Sequence, residues 1–188
     1  FNIVVADKKE ADDLTKPGLA HLQPTHAQPA LCVSADMDWA RNITADGEVD
    51  WFDWNGVVAH QSFLKKYGFL PTASAVKLYK CIRGDASDAI SPGVPNLPKE
   101  IMLDIVTKFE DVDTLLECLW PQTDYPLDWK KKIAAHQAEL RINWRLVDFM
   151  DSPLTYEQLV VPCVRSPRQA RLWFESLEMT LEPWMKEK

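Results

Sequence analysis

Three groups of carboxylates stand at spacings that could serve hydrolytic chemistry: Glu10-Ala11-Asp12-Asp13, Ser34-Ala35-Asp36-Met37-Asp38 and Gly84-Asp85-Ala86-Ser87-Asp88. Carboxylate oxygens are hard ligands suited to small divalent cations. Asp85 and Asp88, three positions apart, face the same way if their segment is a helical turn. The third group runs on through Ile90-Ser91-Pro92-Gly93-Val94-Pro95, with Lys99 just beyond. A Gly/Pro turn ahead of a helix start offers backbone N–H groups and a cation to a phosphate. Acids able to hold a metal, beside a turn able to hold a nucleic-acid backbone, point to a metal-dependent nuclease.

In this order and spacing the three groups resemble the 5′-nuclease family: flap endonucleases, phage 5′→3′ exonucleases and the 5′-nuclease domain of DNA polymerase I. The resemblance covers roughly residues 2–150 and is most specific from Gly84 to Lys99. It implies hydrolysis of phosphodiesters at 5′ ends or flap junctions of DNA, with two divalent ions, Mg²⁺ or Mn²⁺, clamping the attacking water and the leaving oxygen. Carried over residue by residue, Glu10 and Asp12 resemble the family's first-metal acids. Asp13, Asp36, Asp38, Asp85 and Asp88 resemble its second-metal group, some acting through water. The segment from about Thr72 to Phe109 resembles the family's helix–three-turn–helix element, with Gly93, Val94, Asn96 and Lys99 holding the duplex backbone and a potassium ion at the hairpin.

Three departures accompany this resemblance. The family's N-terminal region, with two further aspartates and a basic arch, does not precede Phe1, so a separate or missing N-terminal nuclease half is an expected partner beside DNA. The hairpin's usual Gly-x-Gly is replaced by Asn96-Leu97-Pro98. Asn tolerates a left-handed backbone, whereas Pro removes an N–H that would meet a phosphate. Pro17-Gly18 interrupts the helix that would follow the first acid group.

Composition sets the bounds. A chain of 188 residues with 46% hydrophobic content can form one sizeable domain, or one with a small appendage. Twenty-eight acids against 21 bases give a net charge of −7, which argues against non-specific coating of DNA. Seven of those acids are the candidate ligands, and without them the balance is zero. Cys32, Cys81, Cys118 and Cys163 lie far apart and read as thiols of a reducing compartment. No apolar run is long enough for a bilayer, so the expected location is cytoplasmic, in the host cytoplasm for a viral protein.

The elements that must position these residues are legible in outline. Residues 2–6 and Leu31-Cys32-Val33-Ser34 are strand candidates, and Glu10 to Leu14 could begin a helix. Asp36 and Asp38 fall just past a strand end, where open α/β sheets build their sites. Residues 44–54 alternate around Asp46-Gly47 and read as a hairpin. From residue 57 the pattern is helical: Phe63, Leu64 and Tyr67 precede a Gly68 stop, and Thr72 caps a run bearing Val76, Tyr79 and Ile82. Pro98 opens a helix bearing Ile101, Met102, Ile105, Val106 and Phe109, and Val112, Leu115, Leu116 and Leu119 mark another. A long helix after Asp128 carries Ile133, His136, Leu140, Trp144 and Val147, and a last one starts with Ser166 and Pro167.

The expected fold class is therefore α/β: a small, mostly parallel sheet edge followed by an α-helical body containing the DNA-binding element. The expected regions are 1–56 as part of the nuclease core, 57–120 as the DNA-binding region, and 121–188 as C-terminal helices packed on the core. Trp39, next to the second acid group, is a candidate DNA contact, and Lys130-Lys131-Lys132 reads as a solvated helix start. The leading function is a divalent-metal-dependent 5′→3′ exonuclease or flap endonuclease. A different class, a catalytically incomplete nuclease-derived DNA-binding or structural subunit of a larger replication, transcription or virion complex, remains open at this point.

Overall fold

A short sheet sets the edge on which two of the acids lie. In the computed structural model, residues 29–53 and 55–147 are described, together with Thr15, Gly18 and Leu19. Residues 29–147 belong to one compact unit, Leu22–Met150. The strand candidate 2–6, the acids Glu10, Asp12 and Asp13, and the helix expected from Ser166 lie outside the described residues.

Strand β1 (Ala30–Val33) pairs in parallel with β2 (Val49–Phe52), in the register Ala30↔Val49 to Val33↔Phe52. Strand β3 (Val57–Val58) adds antiparallel to β2. Side chains alternate across a strand, so Cys32, Val49 and Trp51 turn into the core, while Leu31 and Val33 stay exposed. The indole N–H of Trp51 donates to the Ser34 carbonyl at 2.7 Å, fixing the chain where β1 ends.

The hairpin expected over residues 44–54 is not what forms. Thr44 to Gly47 does turn, with Gly47 at φ 78° and the Val49 N–H on the Thr44 hydroxyl. The chain entering that turn, however, is a 3₁₀ helix (Met37–Asn42) instead of a strand. Asp36 starts it by accepting from the Asp38 N–H at 3.0 Å, and an Asp cap of this kind competes with extended structure. The two-stranded turn is β2–β3 instead, across residues 53–56. Val57 and Val58 accordingly join the sheet, not the helical run.

Helix α1 (His60–Tyr67) ends at Gly68, whose φ of 90° suits a left-handed cap. Its Phe63 and Tyr67 rings pack with Phe69, and Phe69 packs on Tyr79 at 5.0 Å between centroids. Helix α2 (Ala73–Arg83) opens with the Thr72 hydroxyl accepting from the Ala75 N–H. Every residue of α2 from Ala75 to Ile82 is buried, lysines included. A helix enclosed on all sides is the centre of its domain, and α2 packs against α3, α6 and the 3₁₀ helix.

Helix α3 (Lys99–Lys108) follows Pro98, and α4 (Val112–Cys118) is capped by Asp111, whose carboxylate accepts from the Thr114 N–H. The long helix expected after Asp128 divides into α5 (Leu127–Ala135) and α6 (Gln137–Leu146). The break is His136, whose ring nitrogen Nδ1 and backbone N–H both engage the Lys132 carbonyl. The apolar stripe bridges the break: Ile133, Leu140 and Val147 are all buried. The architecture is thus α/β, a three-stranded sheet ahead of a mostly helical body, as expected. Among the described residues no helix is long and apolar enough to cross a membrane.

Candidate active site

Four of the seven candidate acids come together, and what they meet is a lysine. Lys80 projects from the last turn of α2, and its Nζ lies 2.5 Å from Asp38 Oδ1 and 2.5 Å from Asp85 Oδ2. Asp88 Oδ2 stands at 3.6 Å and Asp36 Oδ1 at 3.8 Å. The Lys80 side chain is only 4% exposed, and the inner acids Asp38 and Asp85 are 10% and 14% exposed. The outer pair opens to solvent, Asp36 at 40% and Asp88 at 51%.

Each group is placed by local chemistry. Asp36 is tied by its own N–H to the Ser34 hydroxyl and by its carboxylate to the Asp38 N–H, which aims Asp38 inward from the 3₁₀ helix. Gly84 ends α2 at φ 79°, and a Cβ there would lie 2.6 Å from the Ile90 carbonyl oxygen, so only glycine permits so sharp an exit. Asp85 and Ile90 then exchange both backbone hydrogen bonds, at 2.8 and 2.7 Å. The Gly-Asp-x-x-Asp unit is therefore a tight loop closed by a β-bridge, not the helical turn its spacing suggested. Ser87 locks the Asp85 carboxylate through its N–H and its hydroxyl.

The electrostatics follow from this enclosure. Burial pushes the Asp85 carboxyl upward, but the hydrogen bonds from Lys80 and Ser87 outweigh it and bring the pKa down to about 2. Burial alone would lower the Lys80 ammonium. The hydrogen bonds to Asp38 and Asp85, and the charges of Asp38 and Asp36, reverse that and hold it well above the usual lysine range. An isolated buried ammonium would be very costly, whereas one bonded to two carboxylates is held in place.

Two kinds of lysine distinguish this region. Lys66 makes a single ion pair with Asp53 at the edge of the sheet, which lowers the Asp53 pKa through that hydrogen bond. Lys80 gathers four carboxylates from two loops. It is the residue of the cluster that sequence reasoning missed, and the signal was present. Helix α2 reads Ala-Val-Lys-Leu-Tyr-Lys-Cys-Ile over residues 75–82, and a lysine inside so apolar a helix must be partnered.

Carboxylate oxygens are donors that suit a hard cation, and in this structure the Lys80 ammonium lies between Asp38 and Asp85. Among the described residues no group of three or more His, Cys, Asp or Glu side chains is arranged to hold a metal ion.

The turn expected to hold DNA faces two ways. Gly93 and Val94, two of the residues expected to meet the duplex, are buried against the protein. A Cβ on Gly93 would stand 2.5 Å from the Cys81 carbonyl oxygen and 2.9 Å from Leu140. The Val94 N–H donates to the Ile82 carbonyl, so it is spent within the protein. Asn143 of α6 clamps the same place, donating to the carbonyls of Cys81 at 3.0 Å and Ser91 at 2.7 Å. Asn96, at φ 55°, and Lys99 are exposed. Pro98 makes no side-chain cap hydrogen bond to α3, which begins at Lys99. Trp39 is half-buried, and Lys130 bonds to the carbonyls of Trp120 and Thr123.

No protein-family model matches the sequence. A flap endonuclease, Xni, of Photobacterium profundum is 27% identical over 136 residues, 71% of this chain and 49% of that protein. The fold resembles that of the bacteriophage T5 flap endonuclease in a pseudo-enzyme–product complex with DNA and metal ions, with a TM-score of 0.58, 18% identity, and coverage of 75% of this chain and 50% of that one. It also resembles the T5 5′-exonuclease with bound zinc, with a TM-score of 0.58, 20% identity, and the same coverage of 75% and 50%. The chain spans about half the length of the relatives it matches.

Proposed function

We propose, from the premise that this chain belongs to the 5′-nuclease family over the part matched, that it forms part of an enzyme hydrolysing phosphodiesters at 5′ ends or flap junctions of DNA. The observation that carries the reading is the convergence of Asp36, Asp38, Asp85 and Asp88 on one buried cation. Acids drawn from two separate segments, one just past the end of β1, support reading the cluster as a site.

Asp38 and Asp85 are the acids that would hold a divalent ion, Mg²⁺ or Mn²⁺, with Asp36 and Asp88 reaching it from the solvent side. By their resemblance to the family, Glu10, Asp12 and Asp13 are further metal acids. When bound, such an ion stabilises charge on phosphoryl oxygens and lowers the pKa of its water. The chain's own residues do the rest. The outer carboxylates face solvent, where a water can be oriented or a proton accepted. Asn96, Lys99 and the first-turn amides of α3 meet a duplex phosphate, a contact that positions the substrate and carries no base information. In this scheme residues 1–56 belong to the nuclease core and 57–120 form the DNA-binding region.

Single-turnover cleavage of an end-labelled 5′-flap duplex tests the reading. With Mg²⁺ the chain should cut slowly at the junction, and Asp85→Asn should cut on the order of 10³-fold more slowly, several kcal/mol of barrier. Equal cleavage by the variant would place the chemistry elsewhere.

A further inference from the structure

We propose that Lys80 is the resident counter-ion of the carboxylate cluster, and that a divalent cation enters the cluster only by displacing its ammonium. This deepens the nuclease reading and takes from it the identity of the ion, but its test reads ion uptake, so a chain that never cleaves DNA can still pass or fail.

The first argument is one of space. A divalent ion bound to Asp38 Oδ1 and Asp85 Oδ2 would need oxygen distances of about 2.0–2.6 Å. The Lys80 Nζ already stands 2.5 Å from each of those two atoms. Ion and ammonium would therefore compete for the same two oxygens, and one must give them up.

The second argument is that the ammonium has somewhere to go. Asp36 Oδ1 and Asp88 Oδ2 lie 3.8 and 3.6 Å from Nζ on the side that opens to solvent. The lysine stem is flexible, so Nζ can move from the inner pair to the outer pair without losing a carboxylate partner. Displacement is an exchange between two berths, and no charge is left buried alone.

The third argument concerns the site without an ion. Carboxylates crowded together repel and raise one another's pKa values, and the inner pair is nearly sealed from water. A lysine anchored on the central helix cancels that repulsion and assembles the cluster before an ion arrives. The same service makes it a competitor, so the wild-type cluster should bind divalent ions more weakly than its four acids alone would.

The experiment uses the full chain and Mn²⁺, followed by calorimetry. Lys80→Met should bind Mn²⁺ on the order of 100-fold more tightly than wild type, because no buried ammonium has to be moved. Adding Asp85→Asn to that variant should abolish the gain. Lys77→Met removes a buried charge from the same helix, where Lys77 lies over the Trp144 ring, and it should leave Mn²⁺ binding unchanged. A second measurement needs no substitution: in the ¹⁵N-lysine-labelled wild-type chain, the Lys80 Nζ resonance should shift as Mg²⁺ saturates the site. Unchanged or weaker Mn²⁺ binding in Lys80→Met overturns the proposal. So does a Lys80 resonance that stays fixed while Mg²⁺ binds.

Discussion

The last turn of α2 supports two regions built on opposite principles. On one side Lys80 draws Asp36, Asp38, Asp85 and Asp88 together, and the region is organised by charge. On the other side the carbonyls of Cys81 and Ile82 grip the turn at Gly93 and Val94, with Asn143 as a clamp, and that region is organised by backbone fit. The cluster hides its cation, while the turn buries its base and leaves Asn96 and Lys99 in solvent. The loop 84–92 links them, since the residues that place Asp85 also deliver Gly93. The charged cluster and the packed turn are therefore set at one helix end by groups that can be perturbed separately.

The largest separation should come from stability. Lys80→Met leaves Asp38 and Asp85 enclosed and facing each other, which should cost about 3–5 kcal/mol in denaturant unfolding. Gly93→Ala drives a methyl into the Cys81 carbonyl and Leu140, an overpacking cost of roughly 1–3 kcal/mol. If both regions depended on charge, Gly93→Ala would be silent. Millimolar Mn²⁺ should recover part of the Lys80→Met loss and none of the Gly93→Ala loss.

Acid should separate the regions next. The folded pKa of Asp85, about 2, lies below its ordinary 3.8, so its contribution is complete above about pH 4 and is lost as pH falls through 2. Unfolding free energy measured from pH 5 to pH 2 should fall for the wild-type chain, and the fall should be smaller in Asp85→Asn. An identical slope in the two would mean that Lys80 does not hold Asp85 in solution.

The smallest effect belongs to the exposed tip. Lys99→Ala should leave stability within about 0.5 kcal/mol of wild type. Its duplex binding should weaken uniformly across sequences, and the salt-dependence slope should drop by about one unit. An unchanged slope would mean that this turn does not meet a phosphate.

What was legible in the sequence divides along the same line. Helix ends were readable where a local group decides them: Thr72 and Gly68 act as their types dictate, and Pro98 stands one residue outside its helix. The spacing of Asp36, Asp38, Asp85 and Asp88 was also sufficient to single them out. Lys80 was not assigned, because its partner Asp38 lies 42 positions away and only tertiary packing joins them. The hairpin expected over residues 44–54 does not form, because the chain leading into its turn is a 3₁₀ helix and residues 49–52 pair in parallel with β1. His136 was hidden for another reason, since apolar residues keep their period across the break and a stripe does not record whether the backbone beneath it is continuous.

The most direct test of the central claim supplies the chain with an N-terminal 5′-nuclease half as a separate polypeptide and follows Mg²⁺-dependent cleavage of a 5′-flap duplex. The account predicts junction cleavage orders of magnitude faster than that of the chain alone, lost again when Asp38→Asn replaces the wild-type chain. Cleavage that is equally fast with Asp38→Asn would contradict it, because the cluster around Lys80 would then have no part in the reaction.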